Sequence, residues 1–481
     1  MSLLLLPILG PALLALWVVL ARPGANLREG LAVAMGLANA GLWLSWWSGA
    51  LPPPLLLAEP IPGLLLRLEL EPLGLLFGTV TAVLWPITTI YAAGYMRANA
   101  EKYQNGFFAA FAASIAGAQL IALAGDLLTL FVGYEWLTLA TWPLVTHKRN
   151  ADAKRGGRIY LGVLLTTSLG LLLPAIVATV LITGESAFKA GGLLSGTGLS
   201  ATALGLLFAA YMFGIGKAAL MPGHRWLPAA MVAPTPVSAL LHAVAVVKAG
   251  VFCVLKITVY VFGIDLLATS GTAAPILWVA AFSLLAASVV ALYSDNLKRR
   301  LAYSTVSQLA YVVVGATLAT GLGIVGGGMH IVMHAFGKIT LFFVAGAIYT
   351  AAHKQLVSEL DGLGRTMPWT FAAFTLGALS IIGLPPLGGA WSKWFLMSGA
   401  ASTEQMLLLA VLTISSLLNI VYLLEIPLRG FFGPRPADHA GCVQEAPLAC
   451  LLPLLFTAMA CVALFVFPQP LLALLSVWSP T

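Results

Sequence analysis

Residues 204–228 read LGLLFAAYMFGIGKAALMPGHRWLP, an apolar run long enough to cross a lipid bilayer with a lysine, Lys217, in its middle. A charge in hydrocarbon costs several kcal/mol, so such residues are rare and usually belong to an ion path. Pro222, Gly223 and Pro228 follow the lysine. Proline removes a helical hydrogen bond, which is tolerated at membrane depth only beside protein or a wet cavity. The stretch therefore predicts a broken membrane helix that carries a functional lysine.

The whole chain has the composition of an integral membrane protein. Its 481 residues are 60% hydrophobic and 9% charged, whereas a soluble domain carries roughly 25% charged residues. Apolar runs of about 20 residues recur without strand-like alternation, so helices are the expected spanning elements. The first run has no basic region or cleavage site, and we expect a retained helix. The four cysteines show no CxxC spacing and give no indication of an iron–sulfur cluster.

We predict an all-α polytopic membrane protein of about 14 transmembrane helices. The predicted helices lie near 3–20, 30–50, 72–95, 107–124, 127–146, 159–183, 200–221, 237–262, 273–293, 301–319, 326–350, 369–399, 405–427 and 447–468. They form one transmembrane domain, 1–481, divided into N-terminal helices (1–106), a first repeat (107–262), a second repeat (273–427) and a last helix (447–468).

The basic residues are distributed unequally between the two sets of loops. One set, from Arg22 to Arg435, holds 17 of the 24 Lys and Arg, and the opposite set holds only Arg67 and Lys189. Basic loops face the cytoplasm, so we expect both termini on the outer side of the cell inner (plasma) membrane. Orientation accounts for the net charge of +7, and no nucleic acid is expected as a partner.

A second interruption precedes another lysine. Pro385-Pro386 and Gly388-Gly389 lie just before Lys393 in the twelfth predicted helix, five helices after the break at Lys217. Because five is odd, units of helices 4–8 and 9–13 would be inverted repeats with broken helices 7 and 12, which place sites near the bilayer midplane. Two unrelated proline kinks are the alternative.

Glu135 in the fifth helix and Lys217 in the seventh are candidates for a switchable pair, with Lys248 in the eighth as the next proton acceptor. A lysine close to a carboxylate keeps its proton, and one that is separated from it releases the proton more easily. A static ion pair that locks two helices is the alternative reading of Glu135.

His330, His334 and Lys338 are spaced four apart and share one face of the eleventh helix, where we predict a polar stripe that relays protons. His242 is a candidate relay residue or a structural hydrogen-bonding group. An HxxxH pair can hold a metal, but no carboxylate or cysteine lies nearby, so we predict no metal site and no cofactor.

Three further charged residues are assigned to the ends of helices. Lys256 is expected to reach the outer interface. Glu425 is expected at the inner interface, and Asp126 opens the fifth helix, where a carboxylate suits the helix dipole.

Four segments carry a resemblance that covers nearly the whole chain: GDLLTLFVGYEWLTLATWPLV, HRWLPAAMVAPTPVSALLHAVAVVKAGVF, DNLKRRLAYSTVSQLAYVVVGA and HAFGKITLFFVAGAIY. They resemble the antiporter-like proton-translocating subunits of respiratory complex I, Mrp-type cation/proton antiporters and membrane-bound hydrogenases. The resemblance implies fourteen helices with inverted five-helix repeats. It also implies a hydrophilic axis of Glu135, Lys217, Lys248, the polar stripe of the eleventh helix, and Lys393.

Two departures bear on the family member. The chain ends after the fourteenth helix, which favours the shorter D-type antiporter subunit or its hydrogenase equivalent. The twelfth helix carries Lys393 where the middle antiporter-like subunit of complex I looks to have a glutamate.

The leading hypothesis is a proton-translocating subunit of a multisubunit Na⁺/proton antiporter, with other membrane subunits as partners. The alternative is a proton-pumping subunit of a redox-driven complex, in which electron transfer in partner subunits supplies the energy. No catalytic redox site is expected in this chain itself, so the partner subunits would distinguish the two. A non-conducting scaffold is the third.

Overall fold

A computed structural model describes residues 2–49, 51–434 and 443–478, so Arg435 and Cys442 lie outside the described residues. Within them the chain is mostly helical. The α-helices are α1 Leu6–Ala21, α2 Ala25–Ser45, α3 Pro72–Ala98, α4 Gln104–Ala122, α5 Leu127–Val145, α6 Ala151–Thr167, α7 Leu173–Thr183, α8 Ala201–Gly214, α9 Trp226–Ala229, α10 Thr235–Ala239, α11 Val246–Ile257, α12 Ile264–Ser270, α13 Ala274–Leu292, α14 Leu297–Thr317, α15 Gly321–Ala352, α16 Pro368–Ile382, α17 Gly389–Ser402, α18 Met406–Phe432, α19 Leu448–Val466 and α20 Gln469–Leu475.

These helices make a multi-pass membrane protein. Nine helical spans in the described ranges have the length and apolar composition to cross a bilayer. The halves of the broken helices, such as α8 with 14 residues and α16 with 15, are shorter than a full span. The exact total of fourteen therefore stays a prediction.

Both predicted breaks are present. α8 ends at Gly214, and Lys217 lies in a single 3₁₀ turn, Gly216–Ala218, followed by Ala219 in the left-handed conformation. The second break separates α16 from α17, where Gly383 has a φ of +89° that favours glycine. Each lysine therefore lies beside backbone that leaves the helical ladder.

A further irregularity falls inside the predicted helix 237–262. A π-helical segment, Leu240–Val244, separates α10 from α11. Such segments are frequent at functional sites, and this one contains His242.

A β-hairpin was not predicted. Strands β1, Leu55–Ile61, and β2, Leu64–Leu68, pair antiparallel between α2 and α3. The hairpin is joined to the α4–α5 loop, because Glu69 N donates to Leu123 O at 2.8 Å and Gly125 N donates to Arg67 O at 2.8 Å.

Two isolated backbone bridges are consistent with the repeats. Asp126 caps α5 as expected and pairs with Ala187, which follows α7. Asn296 caps α14 and pairs with Leu356, which follows α15. The fifth and sixth predicted helices are thus tied together in the same way as the tenth and eleventh.

Candidate functional site

Lys217 is fully buried and is held by one face of α5. Its Nζ donates to Tyr134 O at 2.8 Å and to Thr138 Oγ1, and it lies 3.2 Å from the centre of the Tyr134 ring. The Lys217 backbone N–H in turn donates to Tyr134 Oη at 3.0 Å. A carbonyl, a hydroxyl and an aromatic face therefore surround the amine.

Glu135 and Lys217, the candidates for a switchable pair, are not in direct contact. No ion pair within 4.0 Å joins the two side chains, and the Glu135 carboxylate oxygens are buried without a hydrogen-bond partner in the described part of the chain. Successive helical residues are about 100° apart, so with Tyr134 and Thr138 facing the lysine, Glu135 points to the adjacent side. Any pairing requires a change in this arrangement.

Gly250 lets α11 approach the Lys217 turn closely. A Cβ at this glycine would lie 2.4 Å from Ala218 N and from the Lys217 carbonyl carbon. No side chain fits there, so the position of the lysine depends on this helix crossing.

Lys248 contacts the eleventh predicted helix, α15, directly. Its fully buried Nζ lies in hydrogen-bonding contact with His334 Nδ1. One turn earlier, His330 Nδ1 lies 2.9 Å from Ser392 Oγ on α17, and the two imidazoles stack with centroids 5.7 Å apart. The predicted polar stripe is therefore present, and it connects α11 to α17.

Lys338 completes the stripe on α15. Its Nζ donates to Ser304 Oγ on α14 at 2.7 Å, and Tyr422 Oη donates to the same hydroxyl at 3.0 Å. Tyr422 also contacts Asn419. The lysine thus enters a hydroxyl network between α14 and α18.

Lys393 repeats the environment of Lys217 at the second break. Its Nζ donates to Ile382 O at 2.9 Å and to Ser416 Oγ at 3.0 Å, and it lies 4.6 Å from the centre of the Tyr311 ring. Tyr311 stacks on His330 with centroids 5.5 Å apart. Each lysine at a break therefore pairs with a carbonyl, a hydroxyl and a tyrosine ring.

His242 is buried but is not joined to the other candidates. Both ring nitrogens lack a hydrogen-bond partner among the described residues, and the ring packs 4.7 Å from Phe342. A buried imidazole without partners is costly, so a structural hydrogen-bonding role is not what this arrangement provides.

Most partners of these charged residues are neutral side chains that were not predicted from the sequence. Hydroxyl and phenol groups contact Lys217, Lys338, Lys393 and His330: Thr138, Ser304, Ser392, Ser416, Tyr134 and Tyr311. Their only sequence signal is helical spacing, such as the four-residue interval from Tyr134 to Thr138.

The expectation for Lys256 was wrong. This lysine is fully buried rather than interfacial, and its Nζ lies 3.0 Å from Glu71 Oε1 and 2.6 Å from Ala124 O. Tyr260 Oη donates to the other Glu71 oxygen at 2.7 Å. The lysine therefore forms an ion pair next to the hairpin. Its partner, Glu71, caps α3 and follows β2 closely in the chain.

Residues 2–49, 51–434 and 443–478 contain no group of three or more His, Cys, Asp or Glu side chains arranged to hold a metal ion.

Comparison with known proteins identifies the family. The model of the family described as NADH:quinone oxidoreductase/Mrp antiporter matches residues 124–419. NADH-quinone oxidoreductase subunit N of Desulforudis audaxviator is 30% identical over 476 residues, which cover 95% of this chain and 91% of that protein. A protein of Rhizobium meliloti described as a probable K⁺/H⁺ antiporter subunit is 29% identical over 91% of this chain, but the match spans only 44% of that protein.

The fold is also found in a solved structure. A chain in the structure of the Mrp complex from Dietzia sp. DQ12-45-1b superposes with a TM-score of 0.86, at 23% identity, over 99% of this chain and 97% of that one. The helical bundle with broken helices described above is therefore shared with that chain, and the motifs quoted from the sequence lie within the matched region. The chain belongs to the NADH:quinone oxidoreductase/Mrp antiporter family of membrane subunits.

Proposed function

We propose that the chain is a proton-translocating subunit of a multisubunit monovalent cation (Na⁺)/proton antiporter. One observation carries the proposal: Lys217, Lys248, Lys338 and Lys393 are buried, and none has a carboxylate within 4.0 Å in the described residues. Buried charges of this kind are expensive and mark proton relays.

The groups around the lysines suit changes of protonation better than permanent charge. A carbonyl and a hydroxyl accept hydrogen bonds from an amine whether or not it is charged. A locked ammonium would instead need a carboxylate, as Lys256 has in Glu71. The contrast between these two environments supports a relay role for the four lysines.

The contact between Lys248 and His334 supports direct proton transfer. The neutral imidazole accepts through one nitrogen, and the amine can donate to it. A proton moving from Nζ to Nδ1 leaves a neutral amine and a charged imidazole, so this contact can carry a proton between α11 and α15 without water.

A path is proposed from these contacts. Its members with such contacts are Lys217, Lys248, His330, His334, Lys338 and Lys393. Glu135 and His242 are proposed as further members, because their polar atoms are buried and have no hydrogen-bond partner among the described residues. The broken helices support it, because backbone that leaves the helical ladder at membrane depth lines protein interiors or wet cavities.

The cellular setting is part of the proposal. The chain would lie in the inner (plasma) membrane with both termini outside, as expected from its basic loops. Other membrane subunits would be its partners. The relative from Rhizobium meliloti, named as an antiporter subunit, supports the antiport of a monovalent cation.

A redox-driven proton pump is the second candidate. It is favoured by the relative from Desulforudis audaxviator, named as an oxidoreductase subunit, because that match covers nearly all of both proteins. The two candidates share the same path and differ in what drives it.

The test uses everted membrane vesicles that contain the native complex, with a fluorescent dye that reports acidification. A pulse of Na⁺ should release protons from preloaded vesicles, and Lys217→Met should reduce this release at least tenfold while assembly stays normal. Lys189→Met, an exposed lysine in an outer loop, is the matched control and should leave transport unchanged.

The outcomes separate the candidates. Acidification driven by an electron donor, with no response to Na⁺ or K⁺, would establish the redox-driven pump. Full transport by an assembled Lys217→Met complex under both conditions would reject both proposals in favour of a scaffold.

A further inference from the structure

A basic cavity of about 690 Å³ opens beside the loop that joins α5 to α6. It lies at the ends of two membrane helices, since α5 ends at Val145 and α6 begins at Ala151. The side chains that bear on its chemistry are Tyr103, Trp142, His147, Arg149, Lys154 and Arg158.

Three of these side chains are cations without counter-ions. Lys154 and Arg158 are four residues apart on α6 and share a face, and the Arg149 guanidinium lies 3.7 Å from the centre of the Tyr103 ring. All three are exposed, and no carboxylate of the described residues lies within 4.0 Å of them. The cavity therefore presents concentrated, uncompensated positive charge.

His147 is a second and independent indication of a ligand. The residue is 7% exposed, it lines the same cavity, and its Nε2 has no hydrogen-bond partner in the structure described. Burial lowers the pKa of His147 from its ordinary 6.5; the Lys102 backbone opposes this, and Arg149 and Lys148 add to it. A buried nitrogen left unpaired costs free energy that a ligand atom would recover.

The surroundings of the cavity are those of a membrane interface. Trp142 lines it with 42% of its surface exposed, and tryptophan is enriched where hydrocarbon meets the headgroups. The loop between α5 and α6 is among those whose basic residues predict the cytoplasmic side. A ligand here would place an anion among the cations and an apolar part beside the indole.

We propose that this cavity binds the phosphate headgroup of an anionic phospholipid from the leaflet on the basic-loop side. Basic pockets at this depth between membrane helices are suited to such headgroups. The site is independent of the proton path, because none of its lining residues belongs to that path.

The experiment is native mass spectrometry of the intact complex, titrated in detergent with phosphatidylglycerol, with phosphatidylcholine and with inorganic phosphate. We expect selective binding of phosphatidylglycerol. Each cation contributes roughly fivefold to the affinity for an anionic headgroup, so removing all three should weaken binding about a hundredfold. The site variant is Arg149→Gln, Lys154→Gln and Arg158→Gln together, and the control variant with the same charge change is Arg155→Gln, Arg225→Gln and Arg299→Gln.

The His147→Phe variant tests the site without changing its fixed charge. It should weaken the binding of phosphatidylglycerol severalfold, which keeps the proposal testable if the triple variant does not fold. Equal binding of both lipids, or an equal loss in the control variant, would overturn the proposal. Displacement of the lipid by inorganic phosphate would also overturn the proposal. A density map of the complex in lipid nanodiscs that shows a polypeptide in the cavity would do the same.

Discussion

The crossing at Gly250 offers a direct test of how the Lys217 turn is positioned. In Gly250→Ala the new Cβ would lie 2.4 Å from two backbone atoms of the turn, where ordinary contact begins at 3.4 Å. The turn must therefore move by about 1 Å. Such overpacking costs roughly 1–3 kcal/mol, and the better helix propensity of alanine offsets about 1 kcal/mol of it. We expect the free energy of unfolding to fall by up to about 2 kcal/mol.

The same shift should impair transport. A displacement of about 1 Å along the 2.8 Å hydrogen bond from Lys217 Nζ to Tyr134 O would lengthen it to about 3.8 Å, beyond hydrogen-bonding range. We expect proton transport in everted vesicles to fall at least tenfold. The control is Gly162→Ala, where a Cβ meets nothing within 4 Å and alanine should be neutral or stabilising. A Gly250→Ala protein as stable and active as wild type would refute the reasoning.

Three further substitutions address separate contacts. Thr138→Val removes a hydroxyl that accepts a hydrogen bond from Lys217, and it should slow proton transport about tenfold with normal assembly. Thr138→Ser keeps the hydroxyl and should transport protons at nearly the wild-type rate. Equal rates in the two variants would count against the contact. Glu71→Ala leaves the Lys256 ammonium buried without its carboxylate, and it should lower the free energy of unfolding by about 3–5 kcal/mol in detergent titrations. The double variant with Lys256→Met should recover part of this loss. No recovery would contradict the ion pair. His147→Gln tests pH dependence: burial lowers the histidine pKa below 6.5, so the unfolded chain binds this proton more readily and stability falls as the pH drops below about 6.5. Thermal unfolding at pH about 7.5 and about 5.5 should show a smaller loss in the variant, and an equal loss would contradict this reading.

The interruptions of the helices were predictable because their causes are local. Proline removes a helical hydrogen bond, and glycine favours a left-handed turn. The second break contains Pro385, Pro386 and Gly388 as predicted, and the first begins at Gly214, a few residues before Pro222. The stripe of His330, His334 and Lys338 was predictable for the same reason, since it depends only on helical spacing.

Properties that depend on distant segments were not predictable. Lys256 lies near the end of a predicted helix, and nothing beside it in sequence reveals that Glu71, 185 residues earlier, would cover it. The hairpin that precedes Glu71 was not predictable because its strands are short, with five residues in β2.

The orientation of Glu135 could not be read from its own helix. α5 is apolar on most sides, so its sequence does not reveal which face meets the Lys217 turn. Hydroxyl partners such as Ser304 gave no signal, because serine and threonine are common wherever membrane helices pack.

The contact between Lys248 and His334 has a consequence for how the two repeats communicate. Lys248 belongs to the first predicted repeat and His334 to the second, so the proposed path passes from one to the other through a single pair of nitrogens. A change at this junction would leave each half able to exchange hydrogen isotopes with the water on its own side. Net proton flux across the membrane would nevertheless stop, because no proton could pass from the first predicted repeat to the second.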